Sequence, residues 1–363
     1  MAIVRPERDG AARESIAGLQ YLRAVAALMV VFHHARWFFP ATSVLFTAAW
    51  ADVGSRGVDI FFVISGYVMT VSTRNFSTAI ERRLPQAADF IVKRFIRVVP
   101  LYWIATLWAA RKLIWSGGAG WPLVEDFLFV PHFSEGDHGL IWPYLFQGWT
   151  INYELFFYAL FAISMLAGRR RFLCLSLTLL VLILLGAAAS IAHHQPHVAA
   201  SIFYTSNLLF EFLMGVWLAL WMRGRTARLP AWAAVVVTVL GFVALALPND
   251  DSVRGFADGV VAVVIVWATL QWSARVDIPW LGRLGDASYS IYLFHMTIYG
   301  ASLWIFGALG LLQPTPLDMV AVVALQLVFA SALGLGLHLA LEKPLLRWLR
   351  SRALVRVWHA NPH

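Results

Sequence analysis

The stretch LQYLRAVAALMVVFHHARWFF, residues 19–39, decides the fold. It is the first strongly apolar run of the chain and long enough, as a helix, to cross a hydrocarbon core. Two of its few polar residues, Arg23 and His34, lie eleven positions apart. Eleven helical steps turn roughly 1100°, three full turns plus about 20°, so the two side chains share one face roughly 16 Å apart along the axis. A cation and a titratable imidazole on one face of a spanning helix are costly to bury, and such groups face a protein interior or a wet cavity and mark function. His is also the side chain best suited to move a proton near neutral pH.

The rest of the 363-residue chain agrees with that reading: 60% of residues are hydrophobic and only 13% charged. Soluble domains are nearer 25% charged. Repeated continuous apolar runs indicate an all-α, polytopic bundle embedded in a lipid bilayer, and they exclude the alternating pattern of a β-barrel. The single cysteine, Cys174, rules out a disulfide within the chain and lies in an apolar run, where a thiol packs inertly. The charged N-terminus MAIVRPERDGAARES lacks a cleavable leader pattern, so the first run is expected to stay as an anchor. A net charge of +8 would suggest nucleic acid in a soluble protein; here it reads as positive-inside flanking, with no nucleic-acid partner.

Length and loop signals predict about ten spanning helices, near 19–39, 55–73, 97–115, 143–166, 172–192, 201–222, 231–248, 255–273, 286–310 and 317–341. With the N-terminus in the cytoplasm, 23 of the 28 Lys and Arg fall on the inner side. Only Arg36, Arg56, Arg111, Lys112 and Arg254 fall outside. That asymmetry places both termini inside, with 1–18 a cytoplasmic N-terminal segment and 342–363 a cytoplasmic basic tail. The segment 74–97 is the main, strongly basic inner loop, and 117–142 the longest outer one, with Glu125, Asp126, Glu135, Asp137, His132 and His138. Its apolar part, Trp121 to Phe133, suits the membrane interface. Residues 1–363 read as one membrane domain without repeats.

Several residues stand out chemically. Asp59, in GVDIFFVISGYVM (57–69), could hold a His tautomer and steady an imidazolium, or form an ion pair with Arg56 or Arg36. Ser65 and Gly66 make a small pair suited to close helix contact. Arg94 and Arg97, in KRFIRVVPLYW (93–103), sit one turn apart at an inner helix start, a spacing for a diphosphate or for ordinary positive flanking. Pro100 then falls in the first turns, where proline is tolerated. Glu154, in WTINYELFFYALF (149–161), and Glu211, near the middle of its helix, should face the bundle as structural ion pairs or catalytic groups. Ser288, Tyr292 and His295, in GDASYSIYLFH (285–295), form one polar face suited to a hydroxyl-bearing ligand or to a helix contact. Glu342 closes the last helix and could simply pair with basic neighbours. His193, His194 and His197 are spaced like metal ligands, but Pro196 interrupts any helix there, and no metal is expected. Walker, nucleophile-elbow, zincin and Rossmann patterns are absent.

The ordered set LQYLRAVAALMVVFHH (19–34), GVDIFFVISGY (57–67), RFIRVVPLYW (94–103), WTINYELFFY (149–158), GDASYSIYLFH (285–295) and EKP (342–344) resembles the acyltransferase 3 family of membrane-bound acyltransferases, within it the exopolysaccharide-production acetyltransferases. The resemblance implies a roughly ten-helix bundle in a bacterial inner membrane. It would move an acyl group, usually acetyl from acetyl-CoA, onto a hydroxyl of a glycan or lipid-linked sugar. By motif position, Arg23 and His34 match the family's essential pair, Asp59 its acid and Arg94 with Arg97 its basic pair. Trp149, Glu154, His295 and Glu342 fall on further motif positions. Many relatives carry an extra outer esterase-like domain; with a short basic tail after the last helix, none is expected here, which favours direct transfer within the membrane domain.

The expected mechanism puts acetyl-CoA phosphates on Arg94, Arg97 and Arg23, with His34 as general base and Asp59 or Glu154 steadying its imidazolium. An acetyl-histidine intermediate is the main variant. The acceptor is expected to meet Trp149, Ser288, Tyr292, His295 and Glu342. A proton-coupled transporter is the rival from another class, since buried Arg, His and Glu are typical there too, but the inverted repeat common in transporters is absent. A structural subunit of a glycan-export complex is the third reading. Acceptor glycan, donor chain length and oligomeric state stay open.

Overall fold

A backbone group left unpaired in hydrocarbon has nothing to bond to, and the chain answers with helices. The computed structural model describes residues 6–48, 50–118, 120–134, 140–192, 198–225, 229–248, 253–313 and 315–359, and within these the side chains of 17–352 apart from 46. Glu135, Asp137, His138, Arg228 and the group His193, His194 and His197 lie outside the described residues. Among those described, no β-strand occurs. The long helices are α1 (Pro6–Ala35), α2 (Gly57–Ser72), α3 (Ile80–Trp115), α4 (Trp149–Met165), α5 (Arg171–Ile191), α6 (Leu209–Met222), α7 (Ala231–Leu245), α8 (Arg254–Trp272), α9 (Ser288–Ala308), α10 (Pro316–Leu337) and α11 (Lys343–His359).

Five helical stretches among the described residues are long and apolar enough to cross a membrane: Gly168–Ile191, Ala199–Met222, Arg254–Arg275, Ser288–Ala308 and Pro316–Arg352. The expected span 19–39, carried by α1, is not among the five, nor are α2, α3, α4 and α7. α2 has 16 residues, α7 has 15 and α4 has 17, against the roughly 20 a straight crossing needs. α3 spends its first half on charged residues.

The chain falls into two compact units, residues 1–74 with 207–334 and residues 75–206 with 335–363. In the first, α2 and α6 meet backbone to backbone. A Cβ on Gly66 would come within 2.0 Å of the Phe212 carbonyl oxygen, and one on Gly215 within 2.1 Å of the Val63 carbonyl oxygen. Only glycine permits that approach at either position. Leu22 and Ala26 of α1, Ile60 and Val63 of α2, and Ile265 and Val266 of α8 form the core beside it. A second cluster gathers Phe38, Phe39 and Leu45 with Phe306, Met319 and Val322. The short helix Pro279–Asp286 braces α1: the Tyr21 hydroxyl accepts the Ile278 N–H at 2.8 Å.

The second unit stacks Phe90 of α3 on Phe161 of α4 at 5.1 Å and Tyr153 on Phe203 at 3.8 Å. Arg83 donates to the Leu166 carbonyl at 3.2 Å, satisfying the open C-terminal end of α4. The outer segment holds a short helix, Trp121–Leu128, followed by Phe129 in the left-handed region (φ 59°). Buried Asp126 ties that segment down, accepting the Tyr144 N–H at 2.8 Å and lying 2.9 Å from His132 Nε2.

Expectations shift at three elements. α1 begins at residue 6, not 19, and gives way at 36 to a 3-10 turn, Arg36–Phe38. α3 begins at Ile80, so most of the supposed inner loop is helical and Pro100 is interior rather than in the first turns. The stretch 201–222 is broken between Tyr204 and Leu209, which puts Glu211 in the first turn of α6 instead of mid-helix.

Candidate active site

α1 carries His34 one residue from its end, with the side chain buried. Its Nδ1 lies 2.9 Å from the Val30 carbonyl oxygen, one turn back, and 3.1 Å from Nε2 of His295 on α9. His295 is 1% exposed, and its own Nδ1 lies 2.7 Å from the Tyr292 carbonyl oxygen. A carbonyl oxygen only accepts, so each Nδ1 carries a hydrogen. The lone pair of His295 is then on Nε2, facing the Nδ1–H of His34. Neutral His34 keeps its lone pair on Nε2, the basic nitrogen of that tautomer. Trp37 and His33 pack edge-on to the His34 ring at 4.8 and 5.1 Å.

Arg23 lies three turns back on the same helix, half-buried, and donates to Gln20 Oε1 at 3.3 Å. Gln20 in turn donates to Asp286. Ser288 and Ser290 are fully buried at the start of α9, and Tyr292 packs edge-on to Phe61 at 6.0 Å. Of the expected polar face of Ser288, Tyr292 and His295, the last reaches His34.

Asp59 is fully buried, and its carboxylate is taken by Arg254 of α8, with bonds of 3.1 and 2.8 Å. Neither Arg56 nor Arg36, its expected alternatives, is its partner in that fork. Arg56 faces Asp258 at 2.8 Å, and Arg36 faces Asp52 at 2.8 Å. Glu211, also fully buried, interacts with Asp59 and Arg254. Arg254 and Asp258 were missed as site residues. The only sequence signal was a charge at each of two positions one turn apart at a helix start.

In the second unit, Arg94 lies over the rings of Phe90 and Tyr158, 5.5 and 6.0 Å from their centroids. The Tyr158 hydroxyl donates to Glu154. Trp149 opens α4 and packs edge-on to Tyr153 at 5.9 Å. Arg97 forms an ion pair with Glu342 at 3.2 Å, and the same carboxylate lies 2.9 Å from His338 Nδ1. Glu342 thus pairs with basic neighbours, one expected and one, His338, not singled out. A π turn over His338–Glu342 presents the carboxylate, a distortion common at functional sites. No group of three His, Cys, Asp or Glu placed to hold a metal ion occurs among the described residues.

A family model described as an acyltransferase domain, of the acyltransferase 3 type, matches residues 16–335. The chain is 33% identical to the exopolysaccharide production protein ExoZ of Rhizobium meliloti over 320 residues, 83% of this chain and 92% of that one. It is 24% identical to the acyltransferase MdmB of Streptomyces mycarofaciens, covering 93% and 92% of the two chains. It is 23% identical to the peptidoglycan O-acetyltransferase OatA of Listeria monocytogenes, covering 79% of this chain and 50% of that one. No solved structure matches.

Proposed function

The chain belongs to the acyltransferase 3 family and is a membrane acyltransferase, and we propose that it moves an acetyl group from acetyl-CoA to a hydroxyl of an exopolysaccharide sugar. The similarity to ExoZ over most of both chains supports the acceptor class. The observation that carries the chemistry is the buried His34 ring, whose Nδ1–H faces the Val30 carbonyl and whose Nε2 is thereby the basic nitrogen.

In this reading His34 Nε2 takes the proton of the sugar hydroxyl as its oxygen attacks the thioester carbonyl. The new C–O bond forms, the C–S bond breaks, and the leaving thiolate takes the proton from Nε2 to give CoA-SH and the ester. General base catalysis of this kind supplies about 10²–10⁴-fold, with positioning supplying much of the rest. Arg94, stacked on the rings of Phe90 and Tyr158, is the primary phosphate contact of the proposal. Arg97 is oriented by Glu342, and Arg23 is a further cation for the donor. Trp149, Ser288 and Tyr292 are kept as proposed acceptor contacts and Glu154 as a proposed catalytic carboxylate, while Glu342 is assigned to Arg97. Asp59 acts through Arg254 rather than through the imidazole.

The proposal includes the topology: one acyltransferase domain, ten crossings, both termini in the cytoplasm and the bacterial inner membrane as location. The test of the chemistry is His34→Ala, assayed in membranes with labelled acetyl-CoA and by NMR of O-acetyl groups on the glycan. Transfer is expected to be lost while membrane insertion persists. Full acetylation by that variant would end the reading.

A further inference from the structure

We propose that His295 is the positioning residue of the reaction, holding His34 through a ring-to-ring hydrogen bond and sharing the positive charge that His34 acquires. The inference rests on His34 being the base. Two groups face His34 Nδ1: the Val30 carbonyl at 2.9 Å and His295 Nε2 at 3.1 Å. The carbonyl belongs to the same helix one turn back and would be there for any ring at this position. It accepts a hydrogen bond but is a very weak base. His295 Nε2 is different. Its lone pair is fixed outward by the 2.7 Å bond from its own Nδ1–H to the Tyr292 carbonyl, and it is a nitrogen base that can draw the Nδ1 proton toward itself.

The consequence appears when His34 reacts. Nε2 receives the hydroxyl proton, and the ring becomes an imidazolium whose Nδ1–H strengthens its bond to His295. That proton stays between the two nitrogens while the proton on Nε2 leaves with the thiolate, so the relay is restored at the end of each turnover. In serine hydrolases a carboxylate fills this place. Here the carboxylate of Asp59 is bonded to Arg254 instead. A neutral partner suits a 1% exposed site, because a carboxylate there would need its own counter-charge while the ring rests uncharged. The two rings are 261 positions apart in sequence, so the contact depends on α1 and α9 packing together.

The test compares His295→Gln and His295→Phe in the full-length protein. A glutamine Oε1 reaches the place of Nε2 and still accepts from His34. Phenylalanine keeps ring volume and removes the acceptor. kcat is expected to fall within about tenfold for His295→Gln and roughly 100-fold for His295→Phe, by analogy with the roughly 10–100-fold loss on removing the hydrogen-bond partner that orients a metal-bound His. KM for acetyl-CoA is expected to be unchanged in both, and the acidic limb of the kcat/KM pH profile to move in both. Equal activity of the two variants, or a loss confined to KM, would overturn the proposal. If His295→Phe fails to insert, His295→Met supplies the apolar arm of the same comparison. His34→Ala is run alongside: an active His34→Ala sinks the base assignment itself, whereas an inactive one with an active His295→Phe sinks only the role of His295.

Discussion

Asp59 and Arg254 show how much one buried side chain depends on another. Asp59 has no exposure, and Arg254 meets it with two nitrogens. Removing one partner of a buried pair leaves the other charge uncompensated, at a cost of roughly 3–5 kcal/mol, more than the pair itself contributes. Asp59→Asn is therefore expected to lower the unfolding midpoint in detergent sharply, and Asp59→Asn combined with Arg254→Gln to recover part of the loss. Two independent, additive losses would contradict the pairing. The residue scale also shows where reading from sequence stops. His34 and His295 were both visible as polar residues in apolar helices, but the expected neighbour of the imidazole was a carboxylate. Nothing in local spacing says that α1 meets α9, or that Asp59 is already committed to a cation 195 positions away. Arg254 read as a loop charge because its burial is created only by packing. His338 and Glu342 were separable by four positions, yet a π turn has no sequence pattern as plain as a cap or a proline.

Elements were legible where hydrocarbon sets the rule and obscure where water does. Every apolar run of the sequence contains a helix, because lipid leaves the backbone no other way to pair. The charged stretch ERRLPQAADFIVKRF (81–95) reads as a loop, since it alternates charge with apolar residues and carries a proline; it lies in the first half of α3, a 36-residue helix. The outer segment offers a pH test at this scale. The bond to Asp126 raises the His132 pKa above the ordinary imidazole value, with burial pulling the other way and the Phe133 carbonyl adding to the rise. A raised folded pKa contributes stability that is complete below the unfolded value, about 6.5, and is lost as pH rises through the folded value. The midpoint of the wild type minus that of His132→Asn is expected to be largest in mild acid and to shrink toward alkaline pH. A difference independent of pH would mean that the ring acts by shape alone.

At the scale of the whole molecule, the charge asymmetry of the sequence makes the sharpest prediction. Cys174 is the chain's one cysteine, so Cys174→Ser gives a thiol-free background. In it, Ser116→Cys, beyond the end of α3, is expected to react with a membrane-impermeant thiol reagent from outside intact cells, and Ser77→Cys only after the membrane is opened. The reverse result would invert the proposed topology. Five stretches qualify as crossings by length and apolarity alone. Several of the remaining helices are short, and short helices cross where the bilayer thins or neighbours shield their ends. The glycine notch between α2 and α6 bears on how such a molecule can move. With carbonyl oxygens seated where side chains would normally act as bearings, neither helix can slide or swivel against the other without collision. The two behave as a single girder. Asp59 and Glu211, carried one on each, are therefore expected to keep their spacing, with any gating hinged elsewhere.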